Sequence, residues 1–240
     1  MKPYIYVAEG ELTSPLFAQA FAAGSRGKIV TEYKPGPWAG FGSPLHWDCL
    51  TRARKEAYDF SDGDPAYFGR GKFYRVTKNR LQHTGEGTPN FERLRPFHET
   101  AQPWRKDGAH VVVCPQSQGH HDRFQDSEWL HRVLKILAAY TDRKIIIRTK
   151  KTERPLLQDL KDAWCLITHS SNSAVEAVLN GVPAIATGDC AASIMSLSDP
   201  ANVENPYYPD ADRLKWAAVL AANQWTLPEI AAGKCWKVIK

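Results

Sequence analysis

The chain has no C-x-x-C pair, and its five cysteines (Cys49, Cys114, Cys165, Cys190 and Cys235) are odd in number and widely spaced. Such spacing frames no disulfide scaffold and no zinc site, and the adjacent His120-His121 does not repair the lack. The thiols are expected to be reduced and to act as small apolar residues. Long apolar runs are missing as well. Stretches such as Val111 to Cys114 fall far short of the roughly 20 residues that cross a bilayer. The opening Met1-Lys2-Pro3-Tyr4-Ile5-Tyr6-Val7-Ala8-Glu9 meets an acidic residue too early for a secretory signal. A cytoplasmic protein without a membrane span is the expectation.

What is present suits a globular chain. Its 240 residues are 43% apolar and 24% charged, enough for one large domain or two small ones. The formal charge of +5 suits a polyanionic partner, either nucleic acid or an anionic substrate such as a nucleotide sugar. Basic residues crowd the first half at Arg52, Arg54, Lys55, Arg70, Lys72, Arg75, Lys78 and Arg80, with Phe68, Phe73 and Tyr74 among them. Interleaved basic and aromatic side chains hold phosphates and stack on bases. The same pattern also describes the solvated face of an edge strand. On the first reading Arg70, Lys72 and Arg75 are acceptor contacts and DNA is a candidate partner.

From residue 109 onward, strands and helices alternate. Ala109 to Cys114 is a short β-rich apolar run closed by Pro115, and Ser127 to Tyr140 has helical spacing. Lys144 to Arg148 is a second strand, Pro155 to Ala163 a short helix opened by proline, and Trp164 to Thr168 a third strand. Ser170, Ser171 and Asn172 then cap a helix over Ser173 to Leu179, which Asn180-Gly181 stops. Pro183 to Thr187 is a fourth strand, and helices over Asp210 to Trp225 and Leu227 to Lys234 finish the chain. This alternation predicts parallel strands joined by right-handed crossovers.

The first hundred residues are less regular. Tyr4 to Val7 and Ile29-Val30 read as strands, and Pro15 to Ala23 and Trp47 to Tyr58 as helices. Pro35 to Pro44, rich in glycine and proline, reads as loop. Leu81 to Asp107, with three prolines and little periodicity, reads as a bridge between two halves.

The segment from Thr168 to Pro183 carries the strongest chemical signal. A buried strand ends, small hydroxyl residues turn the chain, and a helix opens with N–H groups that attract anions, phosphate above all. Glu176 lies one turn beyond Asn172, within reach of a hydroxyl attached to that phosphate. An ordinary N-cap with a surface glutamate fits the same residues.

Ser170-Ser171-Asn172, Glu176-Ala177 and Gly181-Val182-Pro183 resemble the donor-binding segment of GT-B-type glycosyltransferases. The resemblance implies that this helix holds a diphosphate and that Glu176 holds the ribose of a nucleotide sugar. Cys114 to His120 is similar to the polar loop near the donor in that family. Ile147-Arg148-Thr149-Lys150 is similar to the strand-end basic segment of capsule-polysaccharide transferases, where a cation neutralises the leaving group. The donor-binding set is then Gln116, Ser117, Arg148, Lys150, His169, Ser170, Ser171, Asn172 and Glu176. Without the resemblance, Arg148 and Lys150 are surface charges at a strand end.

Asp64-Pro65-Ala66-Tyr67 is similar to the Asp-x-Gly-aromatic turn of the capsule-type enzymes, with Ala66 where they carry glycine. An inverting transferase needs a carboxylate to take the acceptor's proton. Asp64 is the candidate base and Glu9 stands behind it, although Asp64 also reads as a turn residue between Gly63 and Pro65. Two prolines fix Glu204 to Pro209 as a rigid ledge carrying Tyr207 and Tyr208, expected to pack back on the N-terminal half.

The resulting picture is an α/β protein of two small Rossmann-like, parallel-sheet halves facing a cleft. Residues 1–100 form the acceptor side and 109–240 bind the donor. Transfer of sugar from a nucleotide sugar to an acceptor hydroxyl follows, inverting, with no metal and no cofactor. The chain is similar to compact transferase-like phage proteins, which with its basic first half points to a hydroxymethylated base in DNA as acceptor. A polysaccharide precursor competes with it. Two other classes stand beside the transferase: a nucleotide-sugar epimerase, whose acid/base pair is not placed here, and a nucleotide- or nucleic-acid-binding module without chemistry. The oligomeric state is not legible.

Overall fold

In a computed structural model, the structure describes residues 2–7, 13–42, 44–117, 120 and 127–239, with the backbone alone at Pro44 and Leu45. The chain divides into two units, Met1–Leu81 with Asn223–Lys240, and Gln82–Ala222. The sequence placed the division between residues 100 and 109 instead.

The first unit contains β1 (Tyr4–Tyr6), α1 (Thr13–Ser25), β2 (Lys28–Val30), β3 (Trp38–Phe41), α2 (Pro44–Lys55), β4 (Phe60–Pro65) and β5 (Phe73–Lys78). The C-terminal segment adds β10 (Gln224–Thr226), α8 (Leu227–Ala231) and α9 (Lys234–Ile239). Its sheet runs β10-β5-β4-β3-β1-β2, parallel from β2 to β4 and antiparallel at β5 and β10. The all-parallel half expected from the sequence is therefore a mixed sheet. β4 and β5 are joined by a short turn in which Gly69 and Gly71 take positive φ, and so short a connection forces antiparallel pairing.

Two further expectations change. Trp38–Phe41 lies inside the stretch read as loop, yet it forms the buried strand β3 between β1 and β4. Flanking glycines and prolines hide it, and a strand buried on both faces shows no alternation. The helix expected to run through Trp225 stops at Ala222, and Gln224–Thr226 pairs antiparallel with β5. Trp225 there joins Ile5, Phe17, Phe21, Phe41 and Tyr74 in the core of this unit.

The second unit holds α3 (Phe91–Leu94), β6 (His110–Cys114), α4 (Trp129–Tyr140), β7 (Lys144–Ile147), α5 (Leu156–Leu160), β8 (Ala163–Thr168), α6 (Ser173–Leu179), β9 (Ala184–Ala186) and α7 (Arg213–Ala222). Its four strands are all parallel, in the order β7-β6-β8-β9. Val111, Val113, Val133, Leu137, Cys165 and Ile167 fill one core under α4. The expected bridge carries α3, capped by Asn90, whose side chain accepts from the Arg93 amide. The Asn90 amide donates to Ala218 O of α7 at 3.1 Å. The Glu204–Pro209 ledge finds its contacts inside this unit: Tyr208 meets Trp104 edge-on at 5.9 Å, and Trp104 Nε1 donates to Pro209 O at 3.3 Å.

No helix among the described residues is long and apolar enough to cross a membrane. The five cysteines are free thiols, four buried and Cys49 half-buried. Burial pushes Cys114 up to about 11 and Cys165 up to about 12. Iodoacetamide on the native protein at pH 8 is expected to alkylate Cys49 first, with the other four reacting only after denaturant, because the thiolate is the nucleophile and needs access. Peptide mass mapping of native and unfolded samples checks this; early modification at Cys114 or Cys165 would refute it.

Candidate functional site

In the second unit the chain passes from β6 through α4 to β7 on one side, then crosses to β8 on the other. The carboxyl ends of β6 and β8 thus flank a topological switch point, where open α/β sheets bind ligands. The loops after these strands carry most of the expected donor residues.

They are knitted together. Thr168 Oγ1 donates to Cys114 O at 2.6 Å, and Gln116 Nε2 donates to Ser170 Oγ at 3.0 Å. Gln82 Nε2 donates to Ser170 O at 3.1 Å and to Asn172 Oδ1 at 3.4 Å. Gln82 has no motif around it, so nothing in the sequence marks it. The turn also closes on itself, since the Ser171 amide donates to Thr168 Oγ1 and the Ser173 amide to Ser171 Oγ. Two amides expected to face outward serve the chain instead, and Ser170 is buried. Glu176 sits half-buried on α6. Burial, followed by the negative charge of Glu176, pushes the Glu99 carboxyl above its ordinary value.

His169 lies edge-on to Trp129, with centroids 6.4 Å apart, and its ring is seated over Gly188, where any Cβ would overlap it. Ser117 is half-buried and its carbonyl accepts from the His120 amide at 2.9 Å. At the end of β7, Arg148 is committed inward: Nη1 donates to Asp159 Oδ2 and Nη2 to Arg154 O, each at 2.6 Å. Arg154 shares the same carboxylate through Oδ1. Arg148 therefore does not stand open as a surface charge, while Lys150 is exposed.

In the first unit, Asp64 lies near the carboxyl end of β4, in the strand rather than in a turn. Its Oδ2 pairs with Arg75 Nη2, and Arg75 also donates to Pro65 O and Leu81 O at 3.2 Å each. Arg75 is 3% exposed, so its guanidinium anchors Asp64 rather than meeting an acceptor. Arg70 and Lys72 are exposed on the turn between β4 and β5. Glu9, Gln118, Gly119 and His121 lie outside the described residues.

Asp62-Gly63-Asp64 is an Asp-x-Asp run, as is Asp210-Ala211-Asp212, and the expectation of metal-free donor binding overlooked both. In the first run the two carboxylates have separate partners. Asp62, buried, meets His46 Nε2 at 3.0 Å, and His46 Nδ1 accepts from Trp38 Nε1 at 3.3 Å. Burial raises the Asp62 carboxyl, against the lowering effect of His46. No group of three or more metal-capable side chains gathers among the described residues. Nothing along the chain points to the His46–Asp62 pair, because Asp62 and His46 come from different elements joined only by tertiary packing.

No protein-family model matches the chain, and no curated protein matches it either. Among solved structures it is similar to the KpsC β-Kdo 2,7 transferase of Thermosulfurimonas dismutans over 99% of this chain and 100% of that one, with TM-score 0.55 and 11% identity. It is also similar to the β-Kdo 2,4 transferase of KpsC from the same organism, over 92% and 89% of the two chains, with TM-score 0.51 and 13% identity. At such identities the likeness is one of fold. The chain has the α/β architecture with Rossmann-type units that the GT-B resemblance implies.

Proposed function

We propose that the chain is a glycosyltransferase that moves a sugar from a nucleotide-sugar donor to a hydroxyl of a saccharide acceptor. The supporting observation is the end-to-end likeness to a Kdo transferase, 99% of one chain against 100% of the other. The polar loops at the β6 and β8 switch point agree with it.

The donor's phosphate rests against Gln116 and the Ser170–Asn172 turn, with Lys150 as the exposed cation and Glu176 on a ribose hydroxyl. Arg148 and Arg154 together outnumber Asp159 by one charge, so this strand end keeps a positive excess for the leaving phosphate. Asp64, fixed by Arg75, takes the acceptor's proton as its oxygen attacks the anomeric carbon and the nucleotide departs with the bonding pair. Attack from the face opposite the leaving group inverts the anomeric centre, and no metal or cofactor takes part in this scheme. A saccharide acceptor is favoured over DNA because both structural neighbours are named as Kdo transferases. Burial of Arg75 also removes one of three cations assigned to a nucleic-acid partner.

The second reading is a nucleotide-binding module without chemistry. The inward use of the Ser171 and Ser173 amides favours it. A thermal-shift screen against UDP-, GDP- and CMP-linked sugars separates the two when followed by mass spectrometry of donor turnover. One nucleotide class is expected to stabilise the protein, by about 2.7 kcal/mol at a hundredfold excess over Kd. It is also expected to be consumed when an acceptor saccharide is present. Binding without turnover supports the module, and no shift with any nucleotide removes the transferase.

A further inference from the structure

A cavity of about 540 Å³ lies in the second unit, within the size range of small-molecule pockets. Its walls come from the segment preceding β6, from α5 before β8, and from the end of α6 before β9. These are the amino ends of the parallel strands, so the cavity lies at the opposite sheet edge from the loops assigned to the donor.

The wall before β6 is fixed by backbone bonds. The Gln102 amide donates to Leu179 O at 2.8 Å, and the Arg105 amide to Gly181 O at 2.7 Å. Gly181, at a φ of +74°, lets Pro103 O approach where any Cβ would overlap it.

The charges in the lining have one sign. Arg105 and Lys161 are cations, and no carboxylate is among the residues that line the cavity. Carbonyls at the ends of α5 and α6 would oppose an anion, but they are already taken up. Arg105 Nη1 donates to Leu160 O at 2.5 Å, and Leu179 O holds the Gln102 amide. The remaining N–H groups of Arg105 are left for a ligand. Lys161 is exposed and has no carboxylate partner among the described residues.

The neutral polar groups ask for donors. Asn180 Nδ2 donates to Glu176 O at 2.8 Å and Gln102 Nε2 to Thr100 Oγ1 at 3.0 Å, so each keeps its side-chain oxygen as an acceptor. Pro103 and the exposed Leu157 add apolar surface for a carbon skeleton. Cations beside acceptors and an apolar wall match a molecule that carries a negative charge, hydroxyl groups and C–H faces together.

We propose that this cavity is an accessory binding site for a small anionic sugar, a sugar acid or a sugar phosphate. The anion meets Arg105 and Lys161 through charge-assisted hydrogen bonds, and the hydroxyls donate to Asn180 and Gln102. The proposal does not depend on the transferase reading.

Isothermal titration of the full chain with glucuronate, glucose 6-phosphate and glucose tests it. Acetate and inorganic phosphate serve as anions that lack ring hydroxyls. One of the two anionic sugars is expected to bind at least about tenfold more tightly than glucose, acetate or phosphate. Whichever sugar binds more tightly tells a carboxylate ligand from a phosphate one. Lys161→Glu, which reverses an exposed charge, is expected to weaken that binding by at least about tenfold, while Lys150→Glu at the donor loops leaves it within about twofold. Glucose binding as tightly as the anionic sugars overturns the proposal. Acetate or phosphate doing so means an adventitious ion only, which overturns it too. Binding that survives Lys161→Glu, or that Lys150→Glu abolishes, places the ligand elsewhere and has the same consequence. So does the absence of binding by either anionic sugar at about 10 mM, where millimolar affinities are detected. None of these failures touches the transferase reading.

Discussion

Asp64→Asn is expected to lower the rate of sugar transfer by about 10²- to 10⁴-fold, the contribution typical of a general base. Affinity for the donor nucleotide is expected to stay within about twofold, since a base acts on the acceptor's proton and not on the nucleotide. Asparagine keeps the side-chain shape and an oxygen toward Arg75, so what disappears is the capacity to take a proton. The backbone around Asp64 is set by Gly42, whose amide donates to Gly63 O at 2.9 Å, leaving the carboxylate beside an open backbone. Arg75 retains Pro65 O and Leu81 O as acceptors, which helps the variant to fold. Turnover assays at saturating donor, paired with nucleotide titration and circular dichroism, give the comparison. Activity within tenfold of wild type in a folded variant would remove Asp64 from the mechanism.

The second large effect concerns stability. His46→Ala is expected to destabilise the protein by about 3–5 kcal/mol, from the buried carboxyl left unsatisfied on Asp62 together with the cavity left by the ring. For a chain of this size that is a fall in Tm of roughly 10 °C. His46 is fully buried and Asp62 is 3% exposed, so water does not replace the lost partner. The Trp38 indole N–H can only donate, so His46 Nδ1 accepts and Nε2 is left to donate to Asp62. Gly40, opposite Asp62 on the neighbouring strand, is the bare backbone that makes space for the ring.

The same pair gives a pH dependence with a definite sign. Burial raises the Asp62 carboxyl, so the folded chain holds this proton more tightly than the unfolded chain does. Its contribution is fully present below the ordinary carboxylate value, near 3.9, and is lost as pH rises through the raised folded value. Removing His46 takes away the hydrogen bond that favours the ionised form and raises that value further. The deficit of His46→Ala is therefore expected to be smaller at pH 4.5 than at pH 7.5, where the carboxylate must be ionised or carry the cost of staying protonated. Urea unfolding of both proteins at the two pH values measures it. Equal deficits would mean that the loss is a cavity effect alone.

Much of the second unit was legible before any coordinates. The strand over Val111–Cys114, the helix over Ser173–Leu179 and the turn between Thr168 and Asn172 all rest on local rules: a β-branched run closed by proline, the Ser171 hydroxyl that accepts from the Ser173 amide, and an Asn-Gly stop, while Asn172 at the N-cap position makes no side-chain capping bond. These signals act within a few residues, so one sequence displays them. The resemblance to GT-B transferases drew on the same segment, and the shared fold is in keeping with it.

Tertiary structure decided the rest. Trp38–Phe41 becomes a strand because two neighbours bury it, against a local composition that favours loop. Gln224–Thr226 leaves its helix because β5 offers an unpaired edge some 150 residues away in sequence, a partner no local window contains. Charges were misplaced for the same reason. Arg75 and Arg148 read as surface cations, since sequence records that a residue is basic but not which carboxylate lies across from it. Asp64 and Asp159 take up those guanidiniums only after folding. Local propensity determined which segments could be strands, helices and caps; long-range pairing determined which edges met and which charges were neutralised, because hydrogen bonds and ion pairs depend on distance in space and not along the chain.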